Sequence, residues 1–205
     1  PGVAWRRDPL GPKFQTNFVR AQRFLQFSAA VPLSGSAYRM VPIAFFHVPT
    51  PSKPSPKACD QQKAEYRRRA HQARLPLQAV QQIRALRQAL DADPNGAQRP
   101  LQCVVDGGYT NETVLKQLPE RTTLIGHIRK DAKLYFLPEP SSPSRSRGRP
   151  PRYGAPAPTP EQLRANDSVP WTSIDVCVSG APHRMRIRSL GPLLWRAAGL
   201  KLERR

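Results

Sequence analysis

The sequence predicts an α/β fold, a mixed sheet with flanking helices, and three stretches carry the prediction. Residues 101–129 read as strand, acidic tip, helix and strand. Residues 78–90 place Val80, Ile83, Leu86 and Leu90 on one helical face, with Ala79, Ala85 and Ala89 beside them. Such a stripe marks a helix that packs on a sheet. Residues 18–48 hold two apolar runs joined by a short Gly-Ser turn, the pattern of an antiparallel hairpin.

Taken in order, residues 1–13 are rich in Gly, Pro and Arg and read as a loop. Residues 18–31 form the first strand, with Phe24, Phe27 and Val31 apolar and Pro32 closing the run. A turn at Gly35 and Ser36 leads to a second strand over 38–48, where Pro42, lacking an N–H, requires an edge position or a bulge. Residues 50–57 mix proline with lysine and read as a stiff connector. A largely charged helix follows over 63–73. Its consecutive Arg67, Arg68 and Arg69 fan around the axis, as a nucleic-acid arm or an ordinary solvated helix would have them. The cluster 91–96 ends the apolar helix of 78–90.

Leu101, Cys103, Val104 and Val105 then make an apolar strand, and Asp106-Gly107-Gly108 ends it with the residues a sharp turn needs. Thr110 or Asn111 caps the next helix, and Glu112 lies in its first turn, where the dipole favours an anion. Val114, Leu115 and Leu118 face one side before Pro119 stops it. Residues 122–128 give a second buried strand, with His127 as a core or sheet-edge residue. A carboxylate at the carboxyl end of a buried parallel strand is where open α/β sheets place their chemistry, so Asp106 is the candidate catalytic residue. The same residues also describe an Asx turn that merely closes the strand.

Residues 139–160 turn to Pro, Ser and Arg. Within them Arg147-Gly148-Arg149-Pro150 has the core of an AT-hook, whose arginines enter the narrow minor groove of A·T-rich DNA; a basic loop that touches phosphates alone fits as well. Thr159-Pro160-Glu161 is a helix start. Residues 171–178 and 183–190 alternate around Gly180 as a hairpin that puts Arg184, Arg186 and Arg188 on one face.

Thirty-three Lys and Arg against 14 Asp and Glu give a net charge of +19, spread through both halves, with a pI of 11.1. A field of that sign draws polyanions, nucleic acid first. Cys59, Cys103 and Cys177 stand far apart, which excludes a paired disulfide framework and a CxxC metal site and points to a reducing compartment. His47, His71, His127 and His183 form no ligand spacing, and no phosphate-binding loop or dinucleotide fingerprint occurs. No apolar run approaches the ~20 residues of a membrane span, so no membrane partner is expected. The chain starts at Pro1 without an initiator Met and reads as a piece of a longer reading frame.

The runs VVDGGYTNETVL and LPERTTLIGHIRKDAKLY resemble the block around the second catalytic Asp of bacterial insertion-sequence transposases of the DDE type. GVAWRRDPLGPKFQTNFVRAQRFLQFSAAVP, RGRPPRYG and SLGPLLWRAAG are similar to the same family, so the resemblance spans nearly the whole chain. It implies an incomplete RNase H-like sheet over 1–138, lacking the strand with the first Asp. It implies a basic loop over 139–160 and the start of a β-rich insertion over 161–205, before the helix with the final Glu. It also implies two divalent ions, Mg²⁺ or Mn²⁺, held by three carboxylates of which Asp106 is one. Neither Asp8, in a Gly/Pro-rich loop, nor Glu161, in a first helical turn, matches the family pattern, and a lone Asp would hold a metal loosely. The implied partner is double-stranded DNA, as transposon ends and target, in the bacterial cytoplasm at the nucleoid, with a homo-oligomer in the full-length family member. Arg67, Arg68, Arg69, Arg129, Lys130, Arg145, Arg147, Arg149 and Arg152 are the expected DNA-facing cations. The chain by itself is expected to be inactive, and the rival reading is a non-catalytic basic nucleic-acid binder.

Overall fold

Backbone pairing begins earlier than the composition of the first residues suggests. The computed structural model describes the chain apart from residues 1, 9, 10, 13, 16, 34–37, 139–150, 179, 197, 199 and 203–205, and apart from the side chains of 200–202. It divides into two compact units, Pro1–Ala85 and Leu86–Arg205.

In the first unit β1 (Ala4–Arg7) pairs antiparallel with β2 (Phe18–Ala21), where a loop is expected over 1–13. Alternation of half-buried Ala4 and Arg6 with exposed Trp5 and Arg7 outweighs the flanking Gly and Pro. The strand expected over 18–31 is broken at Gln22 and Arg23, and Arg23 reaches the Ala73 carbonyl at 2.9 Å. β3 (Phe24–Pro32) and β4 (Tyr38–His47) form the predicted hairpin; its turn at Gly35 and Ser36 lies outside the described residues. Its register slips between Phe27 and Ser28, which face Ala44 and Pro42, so Ile43 is an extra residue beside the proline that cannot donate to the ladder. Phe24 and Phe45 stack across it with centroids 4.6 Å apart. After the connector, α1 (Asp60–Gln72) buries no side chain, as its charge dictates. α2 (Leu75–Ala92) runs longer than the 78–90 stripe and buries Ala79, Val80 and Ile83, while Ala85 and Ala89 are exposed.

In the second unit β5 (Leu101–Val105) and β6 (Thr122–Gly126) run parallel in register, Leu101 opposite Thr122 through Val105 opposite Gly126. The parallel pairing holds, but these strands are not buried. Leu101, Cys103 and Val105 are half-covered and Val104 is 79% exposed, because among the described residues no layer covers its face of the two-stranded ladder. A single 3₁₀ turn over Gly107–Tyr109 and a short helix, α3 (Glu112–Leu115), connect the two strands. Asn111 caps α3, its side chain accepting from the Val114 N–H at 3.2 Å, and Val114 is fully buried.

Three short strands without a sequence signal, β7 (Leu134–Tyr135), β10 (Leu193–Trp195) and β11 (Leu200–Leu202), form an antiparallel ladder in the order β11-β10-β7. Ala132, Leu134 and Leu193 make its core, packed by Ile128, Ala157, Leu190 and Trp195. Between β7 and β10, α4 (Pro160–Ala165) starts on the predicted cap, Thr159 accepting from the Gln162 N–H at 3.2 Å. β8 (Thr172–Val178) and β9 (Ala181–Ile187) follow as the predicted hairpin, turning at Gly180, whose φ of 83° suits glycine.

The architecture is mixed α/β, with small sheets and a few helices, in keeping with an incomplete RNase H-like fold. Among the described residues the parallel and antiparallel pairs stay in separate ladders, and β5 bonds only to β6.

Candidate nucleic-acid interface and carboxylate site

Asp106 follows the last residue of β5 in extended conformation, and its Oδ1 accepts the Gly107 N–H at 2.7 Å. Its carbonyl accepts the Tyr109 N–H at 2.9 Å, closing the 3₁₀ turn. The side chain thus takes the adjacent N–H, not the N–H two residues on that an Asx turn uses, and it does so on an exposed tip. Glycines shape the tip. A Cβ on Gly107 would lie 3.6 Å from the Cβ and carbonyl oxygen of His127, and one on Gly126 would lie 2.2 Å from the Thr110 Oγ1. Asp106 and His127 therefore both lie at the carboxyl end of the β5–β6 ladder. His127 is exposed and one residue past β6, not in a core, since the strand ends at Gly126 instead of 128.

The described residues do not fit the metal centre that the resemblance implies. No group of three His, Cys, Asp or Glu among them is placed to hold an ion. The Glu161 carboxylate is taken by Arg164 at 2.5 Å, which holds it below the usual carboxylate range. Glu112 is engaged by Lys116. Asp8 belongs to the first unit. Burial pushes the Cys103 thiol up, away from the thiolate form.

The expected DNA-facing cations fall in both units. Arg67, Arg68 and Arg69 are exposed on α1. Glu65 accepts from Arg68 at 2.8 Å and from Arg69 at 2.7 Å, and these bonds lower its carboxyl to about 2. Arg129 grips Asp131 through two bonds of 2.9 and 3.0 Å and holds that carboxyl below its ordinary range. Lys130 is exposed, its carbonyl accepting the Glu161 N–H at 3.1 Å. The Arg152 guanidinium lies 5.7 Å from the Tyr153 ring centroid. Arg145, Arg147 and Arg149, and with them the AT-hook core, lie outside the described residues.

The hairpin arginines divide in a way alternation does not foresee. Arg184 pairs with Asp175 at 3.3 Å in the open. Arg186 lies 5.5 Å from the Trp171 ring centroid. Arg188, expected on the same open face, lies past the end of β9 with its side chain only 4% exposed. It donates to the carbonyls of Leu163 and Arg164 at 3.0 and 2.6 Å, and it covers the Trp171 ring at 4.2 Å. Free carbonyls at the end of α4 attract it there.

Among the described residues no helix is long and apolar enough to cross a membrane. Residues 20–190 match the family model of the DDE superfamily endonuclease. No curated protein and no solved structure matches the chain.

Proposed function

The chain belongs to the DDE superfamily of endonucleases, and from that premise we propose that it is the DNA-engaging part of an insertion-sequence transposase. Superfamily members act on DNA and generally use divalent metals; the proposal narrows the substrate to transposon ends and target duplex. Its parts are a partial catalytic core over 1–138, a basic loop over 139–160 and the opening of an inserted β segment over 161–205. Asp106 is the proposed catalytic and metal-binding residue. Arg67, Arg68, Arg69, Arg129, Lys130, Arg145, Arg147, Arg149 and Arg152 are the proposed phosphate and groove contacts. The full-length protein would act as a homo-oligomer at the bacterial nucleoid with Mg²⁺ or Mn²⁺.

One observation carries the reading: a carboxylate on an exposed glycine turn at the carboxyl end of a parallel strand, within a chain of +19 net charge. A second reading, a non-catalytic basic nucleic-acid binder, is favoured by the missing carboxylate partners of Asp106 among the described residues. Both readings require duplex binding. Counterion release makes such binding salt-dependent, with a loss on the order of 10³-fold between 50 and 200 mM salt for about six phosphate contacts. A filter-binding titration on a 30-mer duplex measures it, and an affinity that barely moves with salt would remove the electrostatic basis of both readings.

A further inference from the structure

A cavity of about 430 Å³ opens in the second unit beside the β7–β10 ladder, lined by Arg129, Asp131, Ala132, Lys133, Trp195 and Arg196. The ladder explains why cations gather there. Leu194 faces Tyr135 and Trp195 faces Leu134, so Lys133, just before β7, and Arg196, just after β10, lie at the same end of the antiparallel pair. Both are exposed, and neither has an ion-pair partner among the described residues. Like charges gathered at one end of a strand pair repel each other, and an anion between them reverses that repulsion. The carboxylate in the lining does not oppose an anion, because Asp131 is already neutralised by the Arg129 fork.

We propose that this cavity is a phosphate site, with Lys133 and Arg196 as its principal ligands and a phosphate of a DNA strand as its occupant. The proposal rests on the DNA-binding reading and adds to it two residues that are not among the expected DNA-facing cations. The surplus of two positive charges matches a terminal phosphomonoester as well as an internal diester. Phosphate contacts carry no base preference, so the site fixes register instead of sequence.

The test has two arms on the intact chain. In the first, duplex affinity is measured across salt for the wild type, for Lys133→Ala with Arg196→Ala, and for Lys53→Ala, in the first unit, as a charge control. The double variant is expected to lower the slope of log affinity against log salt by about one, for the single phosphate lost, equally on A·T-rich and G·C-rich duplexes. Loss confined to 5′-phosphorylated duplexes identifies a terminal phosphate, and loss on 5′-hydroxyl duplexes as well identifies a diester. In the second arm, inorganic phosphate is titrated while the Trp195 indole resonance is followed by NMR, with a saturating shift expected in the wild type and none in the folded double variant. A wild type that binds phosphate here but no duplex would sink the DNA reading and keep the site. A double variant whose salt slope falls no more than that of the Lys53 control, and whose indole responds to phosphate like the wild type, overturns the site.

Discussion

Glu65 governs how much of the charge on α1 is available to a polyanion, since one carboxylate holds both Arg68 and Arg69. Glu65→Gln should free them and strengthen duplex binding a few-fold at low salt, with the gain shrinking as salt screens the exposed pairs; anisotropy titrations at two salt concentrations measure it. The pH dependence has a definite sign. The folded carboxyl titrates at about 2 and the unfolded one at about 4.3, so the pair's contribution to α1 is complete above that value. It is lost as the pH falls toward 2. An NMR titration that found Glu65 protonating near pH 4 would contradict the double bond. Gly126 is a second single-residue constraint. A methyl there would meet Thr110 Oγ1 at 2.2 Å and Val105 Cγ2 at 2.9 Å. Gly126→Ala should therefore cost about 1–3 kcal/mol in urea denaturation. Adding Thr110→Ala should recover part of that loss, whereas additive losses would show that the two positions do not touch.

At the scale of elements, the join between α2 and β5 depends on Arg87, which is 2% exposed. Its guanidinium donates to the carbonyls of Arg99 at 2.6 Å and Gly96 at 3.2 Å, and it pairs with Asp91 at 2.8 Å. Asp91 also takes Arg121, the residue ahead of β6, at 2.6 Å. Arg87→Ala would strip a partner from the buried Gly96 carbonyl, the part-buried Arg99 carbonyl and a shared, partly exposed carboxylate, at a cost of about 1–3 kcal/mol. A chemical-denaturation midpoint that hardly moves would sink this account. The same segment shows what a linear sequence conceals. Strong periodicity made α2, the β3–β4 hairpin and the β5-α3-β6 unit legible, and turn chemistry made the Thr159 cap, the Gly180 turn and the bulge at Pro42 legible. A buried arginine on the apolar face, four residues after Ile83 and seven after Val80, is legible to neither, because its partners are carbonyls 9 and 12 residues away. The two- and three-residue strands β7, β10 and β11 are too short for any periodic signal, so the cavity they frame could not be read. Asp106 was legible through its glycines and its position at a strand end. The exposure of its strand was not, because an apolar run does not state how many of its faces are covered.

At the scale of the whole molecule, binding and cutting make different demands, and the two units meet them unequally. Binding needs only positive charge within a Debye length of a phosphate backbone, and cations are exposed in both units. Cutting through a two-metal centre needs carboxylates from several elements converging to hold ions ~3.5–4 Å apart. Among the described residues Asp106 stands without two such companions. Glu112 and Glu161 are each spent on a cation of their own helix. Residues 1–205 by themselves should therefore bind duplex DNA without nicking or joining it in Mg²⁺ or Mn²⁺. The measurement is an end-labelled transposon-end duplex incubated with either metal, run on a denaturing gel beside an Asp106→Asn control. An unchanged duplex in every lane, with retardation on a native gel, is the expected result. Metal-dependent nicks that vanish with Asp106→Asn would overturn it, and would require another carboxylate, Asp8 or Glu161, to swing onto the β5 tip when DNA is bound.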